Sequence, residues 1–195
     1  MWTFIYFHGF NSKGDPGSSK LKTLSKLGKV VTINYNSFDS YDNILSELGK
    51  RFKDYLNENP KEDIAVVGTS LGAFWASQFS DEYVNLIPAI LINPSIKPAK
   101  TLQKHVGLTL KNYKTGEVNK LSEMVPSTYP ELSRKGMYLV LVDKGDEVID
   151  PFETEKHFTF NEVIMFEEGS HRFEHMEESL PHIEKFLNNI ETVHY

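Results

Sequence analysis

The run Val66-Val67-Gly68-Thr69-Ser70-Leu71-Gly72-Ala73 constrains this chain more than any other stretch. An apolar segment suited to a buried strand ends in G-x-S-x-G and passes directly into the small, apolar Ala73-Phe74-Trp75-Ala76. Glycines on both sides of Ser70 are what a very sharp strand-to-helix turn demands, because a side chain there would collide with the turn or a neighbouring strand. Such a turn strains the serine backbone and lifts its hydroxyl above the sheet edge. It also aims the Leu71 N–H, at the start of a helix, toward whatever the hydroxyl attacks. The turn is a nucleophile elbow only if a base and an acid reach the same edge.

The rest of the chain supplies the sheet. Runs rich in β-branched and aromatic residues at 2–7, 29–35, 63–68, 86–93, 137–142 and 162–166 read as six strands. Helical spacing intervenes between them. Leu21, Leu24 and Leu27 mark a helix over 20–27 that Gly28 closes. Ile44, Leu45, Leu48, Phe52 and Leu56 follow a cap at Asp39 or Ser40. Behind the elbow a helix over 71–79 presents Gly72 and Ala76 to the sheet. Another helix begins near Pro151, and a last one begins at Ser179 and Pro181 with Leu180, Ile183, Leu187 and Ile190 on one face. Near-continuous apolar strands alternating with helices imply a parallel sheet covered on both faces, in one three-layer α/β domain over 1–195. Between 95 and 135 the pattern loosens around Pro98, Pro126 and Pro130, with a short helix near 100–108. A small cap or insertion is expected there.

In open α/β sheets functional groups gather at the carboxyl ends of strands. His8-Gly9-Phe10 follows the first strand, Ser70 the third, Asp143-Lys144-Gly145-Asp146 the fifth and Gly169-Ser170-His171 the sixth. Nucleophile, carboxylate and imidazole thus leave one edge in the chain order Ser, Asp, His. His171 is the base that would take the Ser70 proton, and Asp146 the carboxylate that would orient it. Asp143, still on its strand, and Glu147 compete with Asp146, whereas Asp150 before Pro151 suits a helix cap. His105, His157 and His194 hold no strand-end position. The Leu71 N–H is one oxyanion donor and the Phe10 N–H the second, since Gly9 lets the backbone turn toward the pocket. Phe10, Phe38, Phe74 and Trp75 are candidates to line an apolar acyl pocket, although aromatic residues in such positions more often belong to the core.

Two other motifs fail on their details. Gly14-Asp15-Pro16-Gly17-Ser18-Ser19-Lys20 lacks the glycine before and the hydroxyl residue after the lysine that a phosphate loop requires, and reads as a turn capping the next helix. His171-Arg172-Phe173-Glu174-His175 spells an inverted zinc-protease pattern, but only twenty residues remain for a third ligand. No cofactor and no metal are expected. A net charge of −6 with no basic cluster argues against nucleic-acid or anionic-membrane partners, leaving a small-molecule ester as the expected one. The chain holds no cysteine. Its apolar opening has no basic lead and is too short to cross a bilayer, so it reads as a strand and the protein as cytoplasmic.

Three stretches beyond the elbow sharpen this. They are Tyr6-Phe7-His8-Gly9-Phe10-Asn11-Ser12, Asn93-Pro94-Ser95-Ile96-Lys97-Pro98, and Gly145-Asp146-Glu147-Val148-Ile149-Asp150 with Gly169-Ser170-His171-Arg172-Phe173 further on. With them the chain resembles the α/β-hydrolase superfamily, and within it the small bacterial YqiA/YcfP-type esterases. That resemblance implies a minimal α/β-hydrolase fold with a mostly parallel sheet of about six strands, lacking the leading antiparallel strands. It also implies hydrolysis of short-acyl carboxylic esters by a triad matching Ser70, Asp146 and His171. Thr69 and Ala73 stand where that group tends to have serine and glycine. Thioester cleavage, or a hydrolase scaffold used only for binding, would draw on the same sequence features.

Overall fold

The six apolar runs pair side by side, all parallel, and each is covered by helices because its side chains alternate between two cores. The computed structural model describes residues 1–190. The chain runs β1 (Trp2–Phe7), α1 (Ser19–Leu24), β2 (Gly28–Ile33), α2 (Tyr41–Glu58), β3 (Asp63–Thr69), α3 (Leu71–Glu82), β4 (Ala89–Ile92) and α4 (Pro98–Gln103). It continues through β5 (Thr109–Lys111), β6 (Val118–Lys120), α5 (Met124–Ser127), β7 (Tyr138–Asp143), α6 (Pro151–His157), β8 (Glu162–Phe166) and α7 (Met176–Asn188). The main sheet has the order β2-β1-β3-β4-β7-β8, with every neighbouring pair parallel.

On one face Ile5 and Phe7 of β1, Val66 of β3, Leu91 of β4 and Val140 of β7 pack with Ile44, Leu48 and Phe52 of α2 and Phe74 and Phe79 of α3. On the other, Phe4, Val67, Ile90 and Leu139 pack with Leu21 and Leu24 of α1 and Ile183 and Leu187 of α7. A single-residue slip in any of these strands would exchange the two sets, so the register is strongly fixed. Phe7 lies opposite Gly68, Ile92 opposite both Thr69 and Leu141, and Asp143 opposite Phe166. The segments leaving β1, β3, β4, β7 and β8 therefore emerge along one edge.

Several expected boundaries move. Helix α1 ends at Leu24, and Gly28 begins β2 rather than closing a helix: a Cβ there would strike the Trp2 carbonyl across the β1–β2 pair. Strand β4 is only Ala89–Ile92, with Pro88, which has no N–H to give the ladder, left outside it. Helix α7 starts at Met176, earlier than Ser179 and Pro181, and carries Pro181 inside it. Pro181 has no N–H to give the Glu177 carbonyl four residues before it, and Glu177 is an exposed residue. The loose segment after β4 holds an antiparallel hairpin, β5–β6, that alternation did not announce. It is tied to the loop after β1 by Tyr113 N–H donating to Asn11 Oδ1 at 3.2 Å. Among the described residues no helix is long and apolar enough to cross a membrane.

Candidate active site

The backbone at Ser70 departs from every regular element. Its φ of 56° and ψ of −119° lie where few side chains are found, a conformation worth of order 1–3 kcal/mol of strain. The surroundings enforce it. Ser70 N–H donates to the Ile92 carbonyl at 3.0 Å, and the Ser70 carbonyl accepts from Ala73 and Ser95 N–H groups at 3.0 and 3.1 Å. A methyl at Gly68 would enter the Gly72 carbonyl, and one at Gly72 would enter the Phe7 carbonyl, so both positions exclude a side chain. Helix α3 can then start at Leu71, whose N–H has no preceding helical turn to bond.

The strand-end residues meet above this turn. His171 Nε2 lies 3.0 Å from Ser70 Oγ, and His171 Nδ1 lies 2.9 Å from Asp146 Oδ2 and 3.0 Å from Oδ1. Asp146 is held in turn by the Val148 and Ile149 N–H groups, which donate to Oδ1 at 2.8 and 2.9 Å. Its side chain is 1% exposed and that of His171 22%. The loop is fastened again where Glu147 Oε2 accepts the His171 N–H at 3.0 Å, which holds the Glu147 carboxyl below its ordinary value. Asp150 caps α6, accepting from Phe152 and Glu153 N–H groups as a residue before Pro151 is expected to.

Asp143, the competing carboxylate, has another task. It is fully buried, and accepts Ser170 N–H at 3.2 Å and Glu174 N–H at 2.8 Å on Oδ2 and pairs with His175 Nδ1 at 2.8 Å on Oδ1. Asn93 finishes this clamp. Its Oδ1 accepts the Asp143 N–H at 2.9 Å, and its Nδ2 donates to the Ser170 and His171 carbonyls at 3.0 and 3.2 Å. Neither role was visible in the sequence. The sequence offers only a charged residue ending an apolar strand, and an asparagine just after the neighbouring strand; in the structure Asn93 has a φ of 41°. His171 and His175 thus engage different carboxylates, and the zinc-protease spacing is accounted for by two separate pairs.

The first strand's exit also has its place. Gly9 passes so close to the elbow that a Cβ there would stand 3.3 Å from the Thr69 carbonyl and 3.5 Å from Ser70 Cβ. Phe10 follows on the rim of the site, its ring 4.6 Å from that of His105 and 5.0 Å from that of Phe38. His8 is buried, stacked on Tyr35 at 4.3 Å, and burial pushes its imidazole down to about 4. A cavity of about 510 Å³ opens over Ser70 between Phe10, Leu102, His105, Val148, Tyr6 and Lys20. Phe74 and Trp75, candidates for pocket or core, are fully buried side chains of α3 in the core. Helix α3 is covered on nearly all sides, and only its first residue faces the cavity. Phe38 packs on Phe10, His157 bonds the Leu132 carbonyl away from the site, and His194 lies outside the described residues.

Solved structures of the same architecture match nearly the whole chain. Est1E of Butyrivibrio proteoclasticus superposes with a TM-score of 0.71 at 18% identity, covering 96% of this chain and 86% of that one. A monoacylglycerol lipase of Paleococcus ferrophilus gives 0.67 at 15%, covering 97% and 95%. In sequence, the protein YcfP of Escherichia coli O9:H4 is 23% identical over 183 residues, spanning 93% of this chain and 97% of its own. Residues 3–188 match the model of UPF0227, described as an uncharacterised protein family. With its fold that of the α/β hydrolases, the chain belongs to the UPF0227 family.

Proposed function

We propose that this protein is a serine hydrolase that cleaves carboxylic esters of short acyl chains through an acyl-enzyme. The observation that carries the reading is one imidazole within hydrogen-bond distance of both Ser70 Oγ and the buried Asp146 carboxylate. The solved structures of this fold point the same way, one of them being a monoacylglycerol lipase.

With its Nδ1–H given to Asp146, neutral His171 presents a bare Nε2 to the Ser70 hydroxyl. Nε2 takes the hydroxyl proton as Oγ adds to the ester carbonyl. The oxyanion is received by the Leu71 N–H and by the N–H of Phe10, and losing one such donor typically costs ~10²–10³ in rate. The imidazolium, stabilised by Asp146, returns its proton to the departing alcohol, leaving the acyl group on Oγ. Water, deprotonated by the same nitrogen, then releases the acid and restores Ser70. No cofactor enters this sequence. A cavity of about 510 Å³ suits a short-acyl ester.

The test is covalent as well as kinetic. Wild-type protein should hydrolyse p-nitrophenyl acetate and be labelled by a fluorophosphonate at Ser70, and Ser70→Ala should lose both while keeping its circular dichroism and melting profile. Absence of labelling in well-folded wild-type protein would leave a binding scaffold as the better account.

A further inference from the structure

Lys20 belongs to no element of the machinery just described, yet its side chain reaches it. From α1 the ammonium crosses to β3 and donates to Thr69 Oγ1 at 3.2 Å, on the residue preceding Ser70. The same oxygen accepts the Tyr6 hydroxyl at 3.1 Å. One shared hydroxyl cannot satisfy three ammonium protons. Among the described residues no carboxylate comes within ion-pair distance of Lys20. Asp143 acts on it electrostatically, but both its oxygens are engaged by Ser170, Glu174 and His175.

The cavity wall repeats the pattern. Lys20 lines it together with Lys13 and Arg172, and no aspartate or glutamate does, in a chain whose net charge is −6. A half-buried cation facing an open cavity, with protons to spare, is arranged to meet a negative charge that is not part of the protein. A single ammonium offers a compact point charge rather than a planar fork, which fits one negative charge.

We propose that Lys20 sets the specificity of this pocket, and that the ester cleaved at Ser70 carries a carboxylate which docks on the Lys20 ammonium. Burial lowers Lys20 to about 8, so it remains mostly protonated at neutral pH while being less strongly held by water than an exposed lysine. The inference rests on ester hydrolysis at Ser70.

The experiment compares matched esters by titration of released acid at pH 7. Ethyl valerate against monoethyl glutarate places the charge in the acyl part, and phenyl butyrate against 4-carboxyphenyl butyrate places it in the alcohol. The expected result is a preference in kcat/KM for one anionic member over its neutral partner of at least about tenfold, the scale of one charge-assisted hydrogen bond, residing in KM. Lys20→Met should bring that ratio close to one, and Lys20→Arg should keep part of it. Neutral partners cleaved as well as both anionic ones by the wild type would overturn the proposal, even if Lys20→Met did not fold. So would a preference that survives Lys20→Met. Failure of the hydrolase reading looks different: no ester of either kind is cleaved and Ser70 takes no label, and the proposal then falls with it.

Discussion

His8 offers the sharpest quantitative test of how the site is held. Its ring lies under the loop that carries Gly9 and Phe10, 1% exposed, with Nδ1 2.8 Å from the Gly9 carbonyl and Nε2 3.2 Å from the Tyr35 N–H. The carbonyl can only accept and the N–H can only donate. The imidazole must therefore be neutral, with its proton on Nδ1, and a second proton would drive Nε2–H against the Tyr35 N–H. The Tyr35 hydroxyl completes the lock by donating to the His8 carbonyl at 2.7 Å. Burial, the largest cause, lowers this histidine from 6.5 to about 4. At 1.36 kcal/mol per pH unit the gap amounts to roughly 3 kcal/mol. Since the unfolded chain binds the proton more tightly than the folded one, that contribution is present in full above pH 6.5 and is lost as pH falls toward 4. The perturbation is His8→Gln, whose carbonyl can still accept from Tyr35 but does not titrate. Unfolding free energies from urea titrations between pH 7.5 and 4 should show wild type well above the variant at neutral pH and the difference shrinking by about 3 kcal/mol on acidification. Carboxylates common to both proteins cancel in that difference. Parallel pH profiles, or a His8 resonance titrating near 6.5, would refute the reasoning.

Three substitutions probe the rest of the site. Gly72→Ala should lower stability by about 1–3 kcal/mol, read from the urea midpoint, because the added methyl must displace β1 or α3; an unchanged midpoint would mean that the two do not approach as closely as described. Asp146→Asn should fold normally and lose ~10⁴ in kcat, because Oδ1 keeps the Val148 and Ile149 N–H groups and Nδ2 must then face His171 Nδ1, forcing the proton onto Nε2. Asp143→Asn should instead cost about 1–3 kcal/mol of stability, as an amide replaces a carboxylate that accepts from two backbone N–H groups and His175. A stable but inactive Asp143→Asn combined with an active Asp146→Asn would exchange the roles of the two aspartates.

What could be read from the sequence follows a physical divide. The central strands were legible because parallel strands buried on both faces are almost entirely apolar, as Ile64 to Val67 and Leu139 to Val142 are. The elbow was legible because two glycines around a serine have few other uses. Hairpin β5–β6 was not, because its strands are three residues each and mostly exposed, so hydrophobic alternation carries no signal there. The turn before α1 does cap that helix, through Ser18, which accepts the Leu21 N–H, but nothing local to Lys20 could say that its ammonium crosses 49 residues of sequence to Thr69. Phe74 and Trp75, which turn out to be core, were ambiguous for a different reason. An aromatic beside the elbow suits pocket and core equally, and the helix's rotation, which sequence spacing leaves free near Ser70, decides between them.

The two aspartate–histidine pairs show why residue type alone does not tell which pair reaches Ser70. Asp143 with His175 and Asp146 with His171 have almost the same separations, 2.8 and 2.9 Å. They differ in where the far nitrogen of each ring goes. The His175 ring lies flat on Phe166, its plane within 5° of that ring and its centroid 5.1 Å away, and it does not line the cavity. His171 stands in the cavity wall with Nε2 on Ser70. The first pair closes the loop that follows β8, by way of Ser170, Glu174 and the bridging Asn93, and so fixes the position of the second. With the neighbouring Ser170 N–H held by Asp143, and its own N–H and carbonyl held by Glu147 and Asn93, the His171 backbone has little freedom to withdraw from Ser70. The geometry at Oγ therefore depends on a carboxylate that never approaches it. Under the proposed chemistry, Asp143 is a positioning residue, acting on rate only through where it places His171.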